Sequence, residues 1–265
     1  MSDAVTNGAD GSLADDLVFT LWFEGARPDA DSVRSLFART LVNSDTQIEV
    51  LTDSAREGAG DNGSAGATVL IGECRFTIEG LTPGVPAQTL DPSNRFGLDV
   101  GALAQAQSIR LAPQSLFVND ISVIAVIRDA VRLALALSGA DRCLAVGWAA
   151  ADSAMSAAYF RKVAADWLGG GPFPALGLVA LESDADDGLV SKGLAVVTGQ
   201  ELVIAAMPGM VVADRARIAI RMIDYLVGHG PVDQVETIKV EGFSELIMAP
   251  DATGKKIYLK KSPIP

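Results

Sequence analysis

The spacing of apolar and polar residues along this chain predicts most of its helices and strands. Residues 17–24 read LVFTLWFE, an apolar run rich in the β-branched and aromatic residues that are typical of a strand. Residues 32–41 and 214–227 carry apolar residues at helical spacing, and Asp29 or Asp31 is placed to cap the first helix. The second helix is predicted to bury one face (Ile218, Met222, Ile223 and Leu226) and to expose its arginines (Arg215, Arg217 and Arg221).

The remaining periodic segments complete an α+β prediction. Strands are predicted at 48–51, 68–71, 75–79, 115–118, 143–148, 237–240, 246–248 and 256–259. Long helices are predicted from Asn119 or Asp120 to Leu137, and from Asp152 or Ser153 to Leu168. Because crossovers and hairpins alternate in this order, we expect an α+β fold with a mixed, largely antiparallel sheet covered by helices, divided into two lobes.

The positions of Gly- and Pro-rich segments predict where those lobes begin and end. Residues 1–16 are acidic and Gly-rich, and are expected to form a disordered leader. An N-terminal β-α-β-β-β lobe is predicted over 17–80, and a connector without strong periodicity over 81–114. The main α+β lobe is predicted over 115–265.

The segment from Phe173 to Ala206 combines strong strand character with one odd polar residue. Two apolar runs, Phe173–Leu181 and Leu194–Ile204, flank an acidic turn and are expected to pair as adjacent antiparallel strands. Glu201 interrupts the second run. It either faces solvent, or accepts hydrogen bonds from backbone donors at a bulge formed by Gly199, or serves as a general base in a pocket. The resulting candidate site, functional or structural, comprises Ser191, Gly193, Gly199, Glu201 and Arg217.

The amino-acid composition argues against several kinds of functional site. The net charge of −12 leaves no basic footprint for nucleic acid. The single histidine, His229, is placed to cap a helix C-terminus, and Cys74 and Cys143 are expected to be buried free thiols, so neither zinc frameworks nor a nucleophile with a histidine base is predicted. No cofactor or metal is predicted. Without a signal peptide or a membrane-spanning apolar run, we expect a cytoplasmic protein.

Residues from about 115 to the end resemble a bacterial family, domain-of-unknown-function family 4261. The resemblance is carried by the strand Leu144–Trp148, the segments Met155–Trp167 and Phe173–Leu181, and the Ser191-x-Gly193-Leu194 to Gly199-x-Glu201-Leu202 stretch, followed by the helix Ala213–Val227. Ser191 stands where the family has Thr, Thr198 stands where it has an aromatic residue, and the second Gly falls one position late. The resemblance implies fold and bacterial origin, and it implies no activity.

Two functional hypotheses follow from these observations. The first is a non-catalytic protein-interaction or accessory factor, whose acidic surface binds a basic partner such as a bacterial toxin or a secretion component. The alternative is a carboxylate-based enzyme, with Glu201 as base and Ser191 or Arg217 as a positioning group. Neither hypothesis predicts an oligomeric state.

Overall fold

The computed structural model describes residues 10–41, 48–52, 65–88, 91–99, 101–114, 122–207, 209–240, 242–243 and 245–262. These residues form seven helices and two mixed, largely antiparallel sheets, which confirms the α+β class. The chain divides into two compact units. Unit 1 comprises Met1–Ala149 and Ser153–Gly171, and unit 2 comprises Ala150–Asp152 and Pro172–Pro265. None of the described helices is long and apolar enough to cross a bilayer.

Unit 1 is built on an eight-stranded sheet, in the order β2-β3-β4-β6-β1-β7-β8-β5. Its strands are β1 (Phe19–Phe23), β2 (Ile48–Thr52), β3 (Ala65–Ile71), β4 (Cys74–Leu81), β5 (Asn94–Phe96), β6 (Gln107–Pro113), β7 (Cys143–Trp148) and β8 (Ser153–Ser156). All pairs are antiparallel except β5 with β8. The central strand β1 is almost fully buried, as its uninterrupted apolar run predicts.

Four helices belong to unit 1: α1 (Asp10–Asp16), α2 (Ala30–Thr40), α3 (Val123–Leu137) and α4 (Ala157–Leu168). The predicted cap of α2 is confirmed, because the Asp29 side chain accepts a hydrogen bond from the Ser32 amide. The core joins the sheet to α4 through aromatic rings, with the Phe19 ring centroid 4.6 Å from that of Trp148 and 6.0 Å from that of Phe160.

Three expectations for unit 1 are wrong. Residues 10–16 form α1 rather than disordered chain, and Asp15 of this helix lies 3.5 Å from Arg110 of β6 in an exposed ion pair. Residues 81–114 do not connect two lobes, because β6 lies between β4 and β1 in the sheet. Residues 153–156 form β8, and α4 begins only afterwards with Ser156 as its cap. The predicted strand at 115–118 and the caps Asn119 and Asp120 lie outside the described residues, and α3 is preceded by Ser122.

Unit 2 carries a six-stranded sheet in the order β12-β13-β14-β11-β10-β9. Its elements are α5 (Ala175–Leu178), β9 (Ala180–Ser183), β10 (Leu189–Lys192), α6 (Ala195–Thr198), β11 (Glu201–Ile204), α7 (Val212–His229), β12 (Glu236–Ile238), β13 (Leu246–Pro250) and β14 (Lys256–Lys261). The strands pair antiparallel except for β11 with β14. The long helix α7 contacts β11 and buries the predicted apolar face.

The predicted pairing of the two apolar runs is wrong. Each run contains one helical turn, α5 in the first and α6 in the second, and only the ends of the runs are strands. The strand β10 lies between β9 and β11, so the two runs are not neighbours. Short apolar runs do not distinguish a buried strand from a buried helical turn, which is why the pattern alone misplaced them.

Candidate functional site

The polar network around Glu201 joins three of the five predicted site residues. Glu201 opens β11, and its Oε1 accepts hydrogen bonds from the Gly193 amide at 2.9 Å and from the Ala195 amide at 3.1 Å. Its Oε2 accepts a hydrogen bond from the Ser191 hydroxyl. Ser191, only 3 % exposed, in turn accepts from the Leu202 amide at 2.7 Å. The carboxylate is therefore engaged on both oxygens.

The local chain path explains why a carboxylate is needed at this point. After β10 the backbone turns at Gly193, which has φ of +95°, and enters the single turn of α6. The first amides of a helix have no acceptor within the helix. Glu201, returning on β11, supplies that acceptor to Ala195 and also to the Gly193 amide in the turn before the helix. Its role is that of a structural cap.

The structural roles of Gly199 and Arg217 differ from those predicted for them. Gly199 ends α6 in the left-handed conformation, with φ of +82°, so it forms a helix cap rather than a β-bulge. Arg217 lies on the exposed face of α7, where its side chain is 71 % exposed and pairs with Asp214 at 2.8 Å. It takes no part in the hydrogen bonds around Glu201.

Gln200 is a polar residue of this region that the sequence reasoning missed. It is 4 % exposed, and its side-chain amide donates to the carbonyls of Val232 and Gly254, both at 2.9 Å. Its Oε1 accepts from the Val232 amide at 2.7 Å. The sequence contained a sign of this role, since Gln200 is a second polar residue, next to Glu201, in the same apolar run. Both polar residues form hydrogen bonds with backbone groups; Gln200 is buried, whereas Glu201 is half-buried.

Arg215 is the second residue that was misjudged. It was expected on the exposed face of α7, yet its side chain is only 3 % exposed. The guanidinium donates to the Asp187 carbonyl and lies 3.2 Å from the Asp187 carboxylate, at the turn between β9 and β10. Its Nε has no hydrogen-bond partner among the described residues, so the buried guanidinium is only partly satisfied. Helical periodicity does not reveal that a charged residue is buried in this way.

The two cysteines and the single histidine are the other candidate groups that the structure describes. Burial raises the pKa of Cys74 to about 11 and that of Cys143 to about 12, so both free thiols stay protonated near neutral pH. His229 was predicted to cap a helix that ends at Val227, but it is the last residue of α7 itself and Gly230 is the C-cap; its ring stacks on Tyr225 with the centroids 5.0 Å apart. The described residues contain no cluster of three or more histidine, cysteine or acidic side chains suited to a metal ion.

A groove in unit 2 is the second candidate site. It is lined by Arg221, Met222 and Tyr225 of α7 on one side and by residues 238–240 (Ile238, Lys239 and Val240) on the other, and its volume is about 480 Å³. Met222 and Val240 are buried, whereas Tyr225 is 39 % exposed. Burial and the nearby Glu236 carboxylate raise the pKa of Tyr225, so its phenol keeps its proton at neutral pH. The groove thus combines an apolar base with polar walls.

Comparison with protein-family models, with curated proteins and with solved structures gives no match for this chain. The resemblance to family 4261 therefore stays a prediction.

Proposed function

We propose that this chain is a non-catalytic binding protein for a basic protein partner, and that the acidic turn between β9 and β10 contributes to the contact. The observation that supports this most is a fixed set of exposed carboxylates at one end of the sheet of unit 2. Glu182, Asp186 and Asp187 are all exposed, with the Asp187 side chain 82 % accessible. A partner carrying lysine or arginine is complementary to this turn.

The turn is held in one conformation by its own hydrogen bonds. Asp184 Oδ1 accepts from the Asp186 amide at 3.0 Å and from the Gly188 amide at 2.6 Å. The buried Arg215 fastens the Asp187 carbonyl from the side of α7. Because the loop is already ordered, binding would cost less conformational entropy than ordering a free loop.

The neighbouring strand supports the same proposal. β9 is an edge strand of the six-stranded sheet, and among the described residues only β10 pairs with it. The edge of a sheet is the place where an added extended segment can pair with it. Glu182 on β9 lies 3.8 Å from the Lys192 ammonium, in an exposed pair with which a partner would compete. Together with the carboxylates of the turn, it would favour a segment of positive charge.

Glu201 gives the alternative, a carboxylate enzyme, no support. A general base needs an oxygen that can reach a substrate proton. Both Glu201 oxygens instead accept hydrogen bonds from groups of the same short loop and strand.

The proposal is tested by affinity capture from a lysate of the encoding organism at about 50 mM and about 300 mM salt. We expect basic proteins to be retained at low salt, and to be lost both at high salt and with the E182Q/D186N double variant. Asp184 and Asp187 are left intact because they hold the turn.

The control is the E24Q/D141N double variant, which removes two exposed carboxylates from unit 1. It matches the change in charge and should retain the same proteins as the parent. Retention of acidic proteins only, or equal losses with both variants, would contradict the proposal. Direct titration of a captured basic protein by calorimetry with the same variants distinguishes binding at the turn from attraction by net charge alone.

A further inference from the structure

The groove between α7 and residues 238–240 has the dimensions of a small-molecule site. Its volume of about 480 Å³ lies within the roughly 300–1,000 Å³ of typical ligand pockets. The base is apolar, with Met222 at 3 % and Val240 at 8 % exposure, and Ile238 is half-buried beside them. A ligand with an apolar body would replace water over this base.

Two of the residues that line the groove are cationic. Arg221 belongs to α7 and Lys239 to residues 238–240, and both residues are exposed. Two cations on one apolar groove are notable in a chain whose net charge is −12. Charge-assisted hydrogen bonds from guanidinium and ammonium groups are the usual means of fixing a carboxylate or sulfonate.

Both cations of the groove already have partners within the protein, and an anionic ligand would compete with them. Arg221 is engaged by another group of the chain. The Lys239 ammonium lies 3.2 Å from the Glu245 carboxylate, in a pair whose side chains are 83 % and 50 % exposed. An exposed pair of this kind is weak and exchanges readily. The Tyr225 hydroxyl lies 3.5 Å from Glu236, and the Tyr225 ring, stacked on His229, offers a flat apolar wall.

From these contacts we infer that the groove binds a small organic anion with an apolar or aromatic body. The anionic group lies between Arg221 and Lys239, where it replaces Glu245 as the partner of Lys239. The apolar body lies on Met222 and Val240 against the Tyr225 ring. This site is separate from the acidic turn, and it does not depend on the proposed binding of a basic protein.

The experiment is a fluorescence titration with 1-anilinonaphthalene-8-sulfonate, which joins an aromatic body to one sulfonate. We expect saturable binding to the full chain, and an affinity loss of about tenfold or more in the R221Q/K239Q double variant. The neutral analogue N-phenyl-1-naphthylamine should bind far more weakly than the sulfonate. E245Q removes the competing carboxylate, so it should raise affinity for the sulfonate about two- to fivefold.

The control is K255Q, which removes one exposed lysine at the β13–β14 turn, whereas R221Q/K239Q removes two cations. That turn lies at the far end of β13 from Leu246, the residue that pairs with Ile238 of the groove wall. K255Q should bind the sulfonate as the parent does. Unchanged affinity in R221Q/K239Q would overturn the inference, since the dye would then occupy another apolar surface. Equal binding of the neutral analogue would overturn it as well. Equal unfolding midpoints for all variants establish that the fold is retained.

Discussion

At the scale of single residues, the polar groups within the apolar segments of unit 2 hold backbone in place. Glu201 accepts hydrogen bonds from the amides before and at the start of α6. Gln200 bridges two carbonyls and one amide. Arg215 donates to the backbone of the turn after β9. The sequence showed that Glu201 is unusual, because it interrupts an apolar run, but it did not show which groups bind its carboxylate. It identified neither Gln200 nor Arg215, since burial of a long polar side chain depends on acceptors contributed by distant segments.

The structural role of Glu201 predicts the effect of E201Q on stability. The substitution keeps the shape but replaces a charged acceptor of three hydrogen bonds by a neutral group, one half of which is a donor. We expect the free energy of unfolding to fall by about 1–3 kcal/mol, the cost of leaving a buried hydrogen-bonding group without its partner. Chemical denaturation at neutral pH measures it.

The control for that measurement is E182Q, which makes the same change at an exposed position of β9 and should shift stability by less than about 0.5 kcal/mol. An E201Q protein as stable as the parent would show that the hydrogen bonds around Glu201 contribute nothing to folding.

At the scale of elements, the sequence predicts best where one period persists over several turns. The helices α2, α3 and α7 and the hairpin of β3 with β4 lie where they were predicted, because a long amphipathic or alternating pattern fits one structure. The one-turn helices α5 and α6 are too short to show a period. The strand β6 was assigned to a connector because the Pro- and Gly-rich chain before it obscured its own alternation.

The turn from β10 into α6 gives a prediction at this scale, because it depends on two glycines with different surroundings. Both have positive φ, +95° at Gly193 and +82° at Gly199. A Cβ added at Gly193 would lie 3.0 Å from the Ala151 nitrogen and 3.1 Å from the Ala150 carbonyl carbon, whereas a Cβ at Gly199 would meet nothing within 4 Å. Only Gly193 combines a conformational requirement with a close backbone approach.

We therefore expect G199A to lower the free energy of unfolding by about 1–2 kcal/mol, the cost of the left-handed conformation alone. G193A should cost that amount and about 1–3 kcal/mol more, since the neighbouring backbone must also move. Denaturant midpoints of the two variants provide the comparison, and G199A serves as the conformational control. Equal losses in both would mean that the contact with residues 150–151 is relieved without cost.

At the scale of the whole molecule, net charge is the property that acts on every part of the chain. There are 33 acidic residues against 21 basic ones. The ion pairs are mostly exposed, such as Arg34 with Asp31, whose side chains are 48 % and 87 % accessible. Each exposed pair contributes at most about 1 kcal/mol. Repulsion among the excess carboxylates opposes these pairs and extends over longer distances, particularly at low ionic strength.

Because the repulsion is the longer-range effect, added salt should stabilise the folded chain. Raising NaCl from about 10 to about 150 mM shortens the screening length from roughly 30 to roughly 8 Å, which weakens repulsion between distant carboxylates more than attraction within contact pairs. We expect the thermal unfolding midpoint at neutral pH to rise over this range, and to rise equally in KCl, because screening depends on ionic strength and not on the cation. Sulfate salts are avoided, since they strengthen apolar burial by a separate mechanism. A midpoint that falls with NaCl would show instead that the surface ion pairs outweigh the net negative charge in holding the fold.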